Sequence, residues 1–459
     1  MDRAPRGAAA GAGPARRLRR GAAGPGGPRG LRGGAAARAG RPPRPLVTAV
    51  PAPVHAPPVR SRLLLRWLRL PVAVRVLLVY ALARLFSAAV LAEVARFQVA
   101  SQWTPARSGY GDVLGLWDAT WYRRIAEEGY PDSVPLGAAG DVQQSALAFY
   151  PLAPLLARLV MLTGLPFSWA GSAVSLVAGA LAAVGVHAVV LRALSERAPA
   201  AVARRGAWSA AVLFCVSPPS PVYQVPYTEA PAIALLVAFL ACLQRGRYAP
   251  AALLALLLGL TRPVAVPLCV VVVVHLVVRA RRGRRAGRVL GGREALRCLA
   301  LLSASGAAGL LWPVVTWRLT GRTDAYTATM GAWRAGGRVE WLTPWWGISQ
   351  YVLGAVAGPL LLVAAVVASA WWLLSRRTAV LGPELRAWCL AYVGYLLLVL
   401  DPFTSLFRYL VLLFPLGGLV ALRPGGRPVL RAWVACSLAL QVVWVAWLWR
   451  FSPPADWPP

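Results

Sequence analysis

The chain contains no lysine. All 49 of its basic residues are arginine, set against only 16 aspartates and glutamates, for a formal net charge of +33. A basic excess of this size points to nucleic acid when it gathers on one face or stripe. Here the arginines stand at the ends of long apolar runs, where the positive-inside rule places them, so no nucleic-acid partner is expected. Cysteine is also scarce. The six (215, 242, 269, 298, 389 and 436) are scattered, mostly within apolar runs, and form no Cys-x-x-Cys pair. That argues against a metal or redox centre and for a packing role. The chain has no Gly-x-Gly-x-x-Gly after a strand, no phosphate-binding loop with its lysine, and no His–Glu zinc pattern. A nucleotide-activated substrate is therefore not visible, and no cofactor is expected. Residues 1–60 are mostly Ala, Gly, Pro and Arg, with Asp2 as the one acid. They lack the apolar core of a signal peptide and the hydrophobic content needed to fold. Residues 1–70 are read as a disordered cytoplasmic tail.

What the chain does have is apolar length. It is 58% hydrophobic, with a mean hydropathy of +0.58, where globular domains sit nearer about 45–50% apolar. Runs of roughly 17–25 apolar residues cross a bilayer as helices. Candidate spans lie at about 71–95, 168–193, 207–223, 228–244, 248–261, 264–279, 297–317, 348–374, 385–401, 404–422 and 430–449. The arginine clusters at 197–205, 245–247, 279–288, 376–377 and 423–427 all fall on one side when these are counted as eleven spans, and that side is the cytoplasm. The expected fold is an all-α polytopic membrane protein of about eleven transmembrane helices. Its N-terminus is cytoplasmic, its location the cell (plasma) membrane, and residues 71–459 form its membrane domain. A large first extracytoplasmic loop, about 96–167, carries interfacial helices. The apolar segment 145–163 is kept out of the count, because two prolines argue against a regular span and counting it would reverse the side of Arg204 and Arg205.

The first outer loop holds Asp112, Asp118, Glu127, Glu128, Asp132 and Asp141, six of the 16 acids. Within it, WDATWYRRIAEEGYP reads as a short amphipathic helix. Trp117, Trp121 and Ile125 recur on one stripe, Gly129 suits a C-terminal cap and Pro131 blocks continuation, and the aromatics belong at headgroup depth. Asp118, in the first turn, either favours the helix dipole as a cap or serves as a general base. In CVSPPSPVYQVPYTEAP, five prolines in seventeen residues exclude a regular span. Irregular backbone at membrane depth lines a cavity or is buried in protein. Glu229 sits there, as a turn residue or a functional acid. Arg262 in LTRPVAV and Arg408 in LDPFTSLFRYLVLLFP either snorkel to an interface or bind a phosphate in a two-toothed grip. Asp401 is a candidate cap for 404–422. Arg84, mid-span, needs a partner, and His187 and His275 read as packed, hydrogen-bonded residues. The 318–347 loop carries Asp324, Tyr326, Glu340 and Trp333, Trp341, Trp345 and Trp346, rings suited to sugars or to headgroups.

The order of these segments resembles the first luminal loop and later motifs of the PIG-V family, which supplies the second mannosyltransferase of GPI-anchor assembly and has bacterial relatives. Trp117, Asp118, Trp121, Ile125, Ala126, Glu127, Gly129 and Tyr130 carry its W-D-x-x-W/F-x-x-I-A-E-x-G-Y pattern. Phe149, Tyr150, Pro151 and Pro154 resemble its F-Y/F-P-x-x-P. Ser217, Pro218, Ser220, Tyr227, Thr228 and Glu229 resemble its S-P-x-S and Y-S/T-E. Leu260, Thr261 and Arg262 resemble its L-T-R, and Arg408 with Tyr409 its R-F/Y. Eukaryotic members read T-R-S-N-G where this chain has Pro263, Val264 and Ala265, so any role of that Asn is absent. The resemblance implies a GT-C-type glycosyltransferase with a polyprenyl-phosphate sugar donor, most simply mannose. The acceptor would be a glycan, glycolipid or protein, and transfer would invert the anomeric centre. Asp118 would be the base, with Arg262, Arg408, Glu229, Trp117, Trp121, Tyr122, Glu127 and Tyr227 around donor or substrate. No metal site is read, though six acids leave a divalent cation open. A transporter or flippase is the alternative. It would call for an internal repeat and ionisable groups at midplane.

Overall fold

The computed structural model describes residues 67–451, except 102, 288–290, 335 and 423–424, together with 459. The tail expected at 1–70 lies almost wholly outside the described residues. The described chain is helical, with no strand and one isolated bridge, Leu136 to Val142. In chain order the helices are α1 (Val72–Ala95), α2 (Tyr110–Leu114), α3 (Asp118–Glu127), α4 (Leu152–Met161), α5 (Phe167–Ser195), α6 (Ala200–Val216), α7 (Glu229–Gln244) and α8 (Tyr248–Gly259). There follow α9 (Val266–Arg285), α10 (Gly292–Thr320), α11 (Ala325–Gly331), α12 (Thr343–Leu353), α13 (Ala357–Leu374), α14 (Gly382–Val399), α15 (Leu406–Tyr409), a 3-10 stretch Leu410–Leu422 and α16 (Gly426–Leu448).

Six helices, α1, α5, α9 with the turn before it, α10, α13 and α16, are long and apolar enough to cross a bilayer. Their apolar side chains are largely not covered by protein. On α13, Leu360, Leu361, Val363, Val367 and Trp371 are all exposed. A surface of that size in water would be an aggregation site; in a multi-pass membrane protein it is the face that lipid covers. Of the other expected spans, 385–401 coincides with the unbroken 18-residue α14, and the rest coincide with shorter or broken elements. α7 and α8 match 228–244 and 248–261 but have 16 and 12 residues.

Several expectations need correcting. The span read at 207–223 is α6, which begins earlier and ends at Val216. Ser217 is turned to the extended basin (ψ 147°) by the proline after it, and prolines then hold the chain in a short 3-10 turn, Ser220–Tyr223. The single span at 348–374 is two helices, α12 and α13, divided at Gly354, whose φ of +89° suits only glycine. The span at 404–422 is not a regular helix. It opens with one turn, α15, and continues as 3-10 with Pro415 inside and a kink at Leu413. Close packing explains its tolerance, since Ser209 Oγ on α6 donates to the Gly417 carbonyl (2.8 Å). The segment held out of the count, 145–163, contains a 3-10 turn, Ala146–Ala148, and the ten-residue α4.

The partners that Arg84 requires are mainly backbone carbonyls. α6 ends at the proline break, leaving carbonyls without helical partners. Arg84 donates to Cys215 O (2.7 Å), Ser220 Oγ (2.9 Å) and Ser220 O, between the rings of Tyr80 and Tyr223. His275 is hydrogen-bonded, to Tyr248 (3.2 Å) and Glu384 (2.8 Å), joining α8, α9 and α14 far in sequence from the acids of the first loop. Of the cysteines, Cys436 on α16 is exposed rather than packed.

Candidate active site

Four segments distant in sequence meet at one point. Each arrives at a helix end for a local reason. Asp118 is the first residue of α3. Trp117 before it stands at φ +58°, ψ −125°, a conformation that a bulky residue adopts only at a cost of order 1–3 kcal/mol. Glu229 opens α7, directly after the proline-rich break. Arg262 lies between α8 and α9 in extended conformation (φ −160°, ψ 160°). Pro263, which follows it, disfavours helix at that residue, and so its side chain leaves the line of α8. Arg408 sits in the single turn α15.

The four charges form a chain. Arg408 Nη1 donates to Asp118 Oδ2 (2.5 Å) and also lies 3.4 Å from Glu229 Oε1. Arg262 Nη1 is 2.6 Å from the same Glu229 oxygen and donates to Thr228 Oγ1 (3.0 Å). Thr228 shares a further hydrogen bond with the Tyr122 hydroxyl (3.2 Å). The Glu229 side chain is 0% exposed, and Arg408 and Arg262 are 7% and 9% exposed; Asp118, at 22%, is the open member. Neither Glu229 oxygen receives a well-aligned hydrogen bond. The carboxylate is held by charge between two guanidinium groups, and its geometry leaves room for adjustment. Tyr409 lies beneath both arginines, 4.8 Å from Arg262 and 5.2 Å from Arg408, and Tyr227 flanks Arg408 at 5.2 Å.

Burial pushes the Tyr122 hydroxyl up, and the nearby Asp118 carboxylate adds to the effect. Burial likewise raises Tyr227 well above the ordinary phenol range. Both remain protonated donors near neutral pH, so neither is a base. Three of the other loop acids are engaged elsewhere. Asp112 Oδ2 accepts from the Gly109 amide (2.8 Å), Asp141 takes a hydrogen bond from Gln143, and Glu128 pairs loosely with Arg124 at the surface.

Around this centre lies an aromatic wall. Trp121 stacks on Phe149 (centroids 5.6 Å, 12°), and Trp333 from the 318–347 loop meets both rings edge-on. The same loop is tied down where Tyr150 donates to Tyr326 (3.1 Å) and where Arg334 donates to the Val399 carbonyl (2.7 Å).

Asp118, Glu229, Arg262, Arg408, Tyr122 and Tyr227 are thus brought together, with Trp121 one turn along α3. Trp117 is adjacent in sequence but packs toward Phe451. The stripe expected of Trp117, Trp121 and Ile125 is corrected: the buried side of α3 is Ala119, Tyr122, Ile125 and Ala126. Glu127 falls off that side and is exposed, so it does not join the cluster. Asp118 is not the N-cap, a position held by Trp117 without a capping hydrogen bond. Asp401 is exposed and lies ahead of the helix that opens at Leu406. Thr228 and Tyr409 belong to the cluster although only the motif resemblance touched them. Their signal was position, each directly beside a charged residue in an apolar stretch. No group of three or more metal-ligating side chains occurs among the described residues. Comparisons of the chain with family models, with curated proteins and with solved structures found no match.

Proposed function

We propose that the chain is a GT-C-type membrane glycosyltransferase. It transfers a sugar, mannose by its motif resemblance, from a polyprenyl-phosphate donor to an acceptor hydroxyl at the outer face of the membrane. The observation that carries this reading is the convergence of Asp118, Glu229, Arg262 and Arg408. A partly exposed carboxylate, Asp118, pairs with the buried Arg408, which Glu229 links to the buried Arg262, beside an aromatic wall; these are the groups such a transfer requires. In this reading the proline-broken segments line the cavity, the first loop lies outside, and the count of eleven spans includes helices that are short.

Asp118 takes the proton of the acceptor hydroxyl as its oxygen forms a bond to the anomeric carbon. The bond from that carbon to the phosphate oxygen breaks, and its electron pair leaves on the phosphate. The acceptor attacks from the face opposite the leaving group, so the configuration inverts. Base assistance contributes about 10²–10⁴ in rate. Arg262 and Arg408 meet the charge that builds on the leaving polyprenyl phosphate, a contribution that can match it. Lipid-linked donors also account for a chain with no nucleotide motif.

The test is to feed radiolabelled polyprenyl-phosphomannose to membranes with and without the protein and to identify the labelled product. Asp118→Asn is expected to lower transfer by at least about 10²-fold while reaching the membrane at normal abundance. Full activity in that variant would remove Asp118 as the base. Movement of a labelled lipid or solute across proteoliposomes with no sugar transfer would replace the enzyme by a transporter.

A further inference from the structure

The charges of the cluster already cancel. Two guanidinium groups face two carboxylates, so a donor phosphate arriving there meets arginines that are both engaged. We infer that donor binding and release of the base are a single exchange: the phosphate takes Arg408 from Asp118, and the freed carboxylate then serves the acceptor hydroxyl. This rests on the glycosyltransferase reading of the site.

The geometry decides which contact gives way. Glu229 is wholly enclosed and touches both arginines, so removing it from them would strand a buried charge. Asp118 lies at the rim, 22% exposed, on the first residue of a short helix. It is the anion that can turn away and be solvated. Arg408 itself need not move. The rings of Tyr227 and Tyr409 hold its plane from 5.2 Å each. Glu229 keeps Arg262 and Arg408 side by side throughout, which makes it a positioning residue rather than a base.

The exchange replaces one charge-assisted contact by another, so its net cost is small. Its consequence is order. With no donor bound, Arg408 occupies Asp118 Oδ2. With donor bound, Asp118 is free next to the anomeric carbon. After transfer, Asp118 carries the acceptor's proton and the polyprenyl phosphate has gained one negative charge against the two arginines. Once Asp118 gives its proton to water, it can compete again for Arg408, and that competition favours product release.

The experiment measures binding of polyprenyl phosphate, the leaving group without its sugar, to the full-length protein in lipid nanodiscs. Asp118→Asn is expected to bind it about tenfold more tightly than the unaltered protein, the weight of one hydrogen bond to a charged group. Asp118→Ser should do the same, and Arg408→Gln should lose binding. A companion measurement needs no variant: carbodiimide labelling of Asp118, read by peptide mass spectrometry, should rise when polyprenyl phosphate is added. Equal or weaker binding by folded Asp118 variants overturns the exchange and leaves the enzyme reading intact, as does labelling that stays level or falls. Should the unaltered protein bind neither polyprenyl phosphate nor polyprenyl-phosphomannose, the enzyme reading fails, and the exchange with it.

Discussion

Glu229 and Glu127 are the same chemical group in opposite circumstances. Glu229 is fully enclosed against Arg262 and Arg408, whereas Glu127 is exposed on α3. Glu229→Gln leaves two buried guanidinium groups short of a counter-charge, and removing one partner of a buried pair costs about 3–5 kcal/mol. Its melting temperature in detergent should fall clearly, and transfer should fall with it. Glu127→Gln should change stability by less than about 0.5 kcal/mol and leave transfer intact. Comparable losses in both variants would mean that the buried cluster is not what distinguishes them. At this scale the sequence made the charged members legible by contrast, because an acid or arginine inside an apolar, proline-broken stretch has to be accounted for. It could not show that Arg408 faces Asp118, 290 positions away, nor that Trp117 would carry a positive φ, since no glycine marks the place. Glu127 was drawn in by the motif and is left out by the rotation of α3, which turns Ala119, Tyr122, Ile125 and Ala126 inward.

Helices in this chain approach one another through glycine, and two glycines make the point testable. A methyl group on Gly259, at the end of α8, would run into the backbone of Ala308 on α10, which cannot give way as a side chain would. Gly306, two residues earlier on α10, has open space where its methyl would go and is exposed. Gly259→Ala should cost about 1–3 kcal/mol through overpacking. Gly306→Ala should be neutral or gain up to about 1 kcal/mol from helix propensity. Melting temperatures of the two proteins in the same detergent would decide, and the reverse order would contradict the close α8–α10 approach. Apolar length also explains which elements could be read ahead of structure. The runs at 71–95, 168–193 and 297–317 match α1, α5 and α10 closely. Runs such as 348–374 and 404–422 are as apolar, but composition does not report a break. There a glycine turn divides one run, and Pro415 with tight packing on α6 holds the other in 3-10 form.

Across the described residues, ion pairs between helices collect at two ends. One end gathers the start of α7, the turn between α8 and α9, α3 and α15, which is the Asp118 cluster. The other gathers the start of α8, the end of α9 and the starts of α10 and α14, through Tyr248–His275–Glu384 and the Arg279–Glu294 pair. Arginine accumulates at this second end, with Arg281, Arg282, Arg284 and Arg285 closing α9. The positive-inside rule predicts that such an end faces the cytoplasm, and the proposed topology then has the cluster and its loops outside. Single cysteines can test this in a background where Cys242, Cys269 and Cys436, the three not fully buried, are replaced by alanine. Asp141→Cys and Arg338→Cys, both at exposed positions of the loops beside the cluster, should react with a membrane-impermeant maleimide on intact cells. Arg282→Cys and Arg377→Cys, also exposed, should react only after permeabilisation. Labelling in the reverse pattern would place the cluster in the cytoplasm. A donor presented at the outer leaflet could then not reach it, and the order of donor and acceptor would have to be argued from the other side of the membrane.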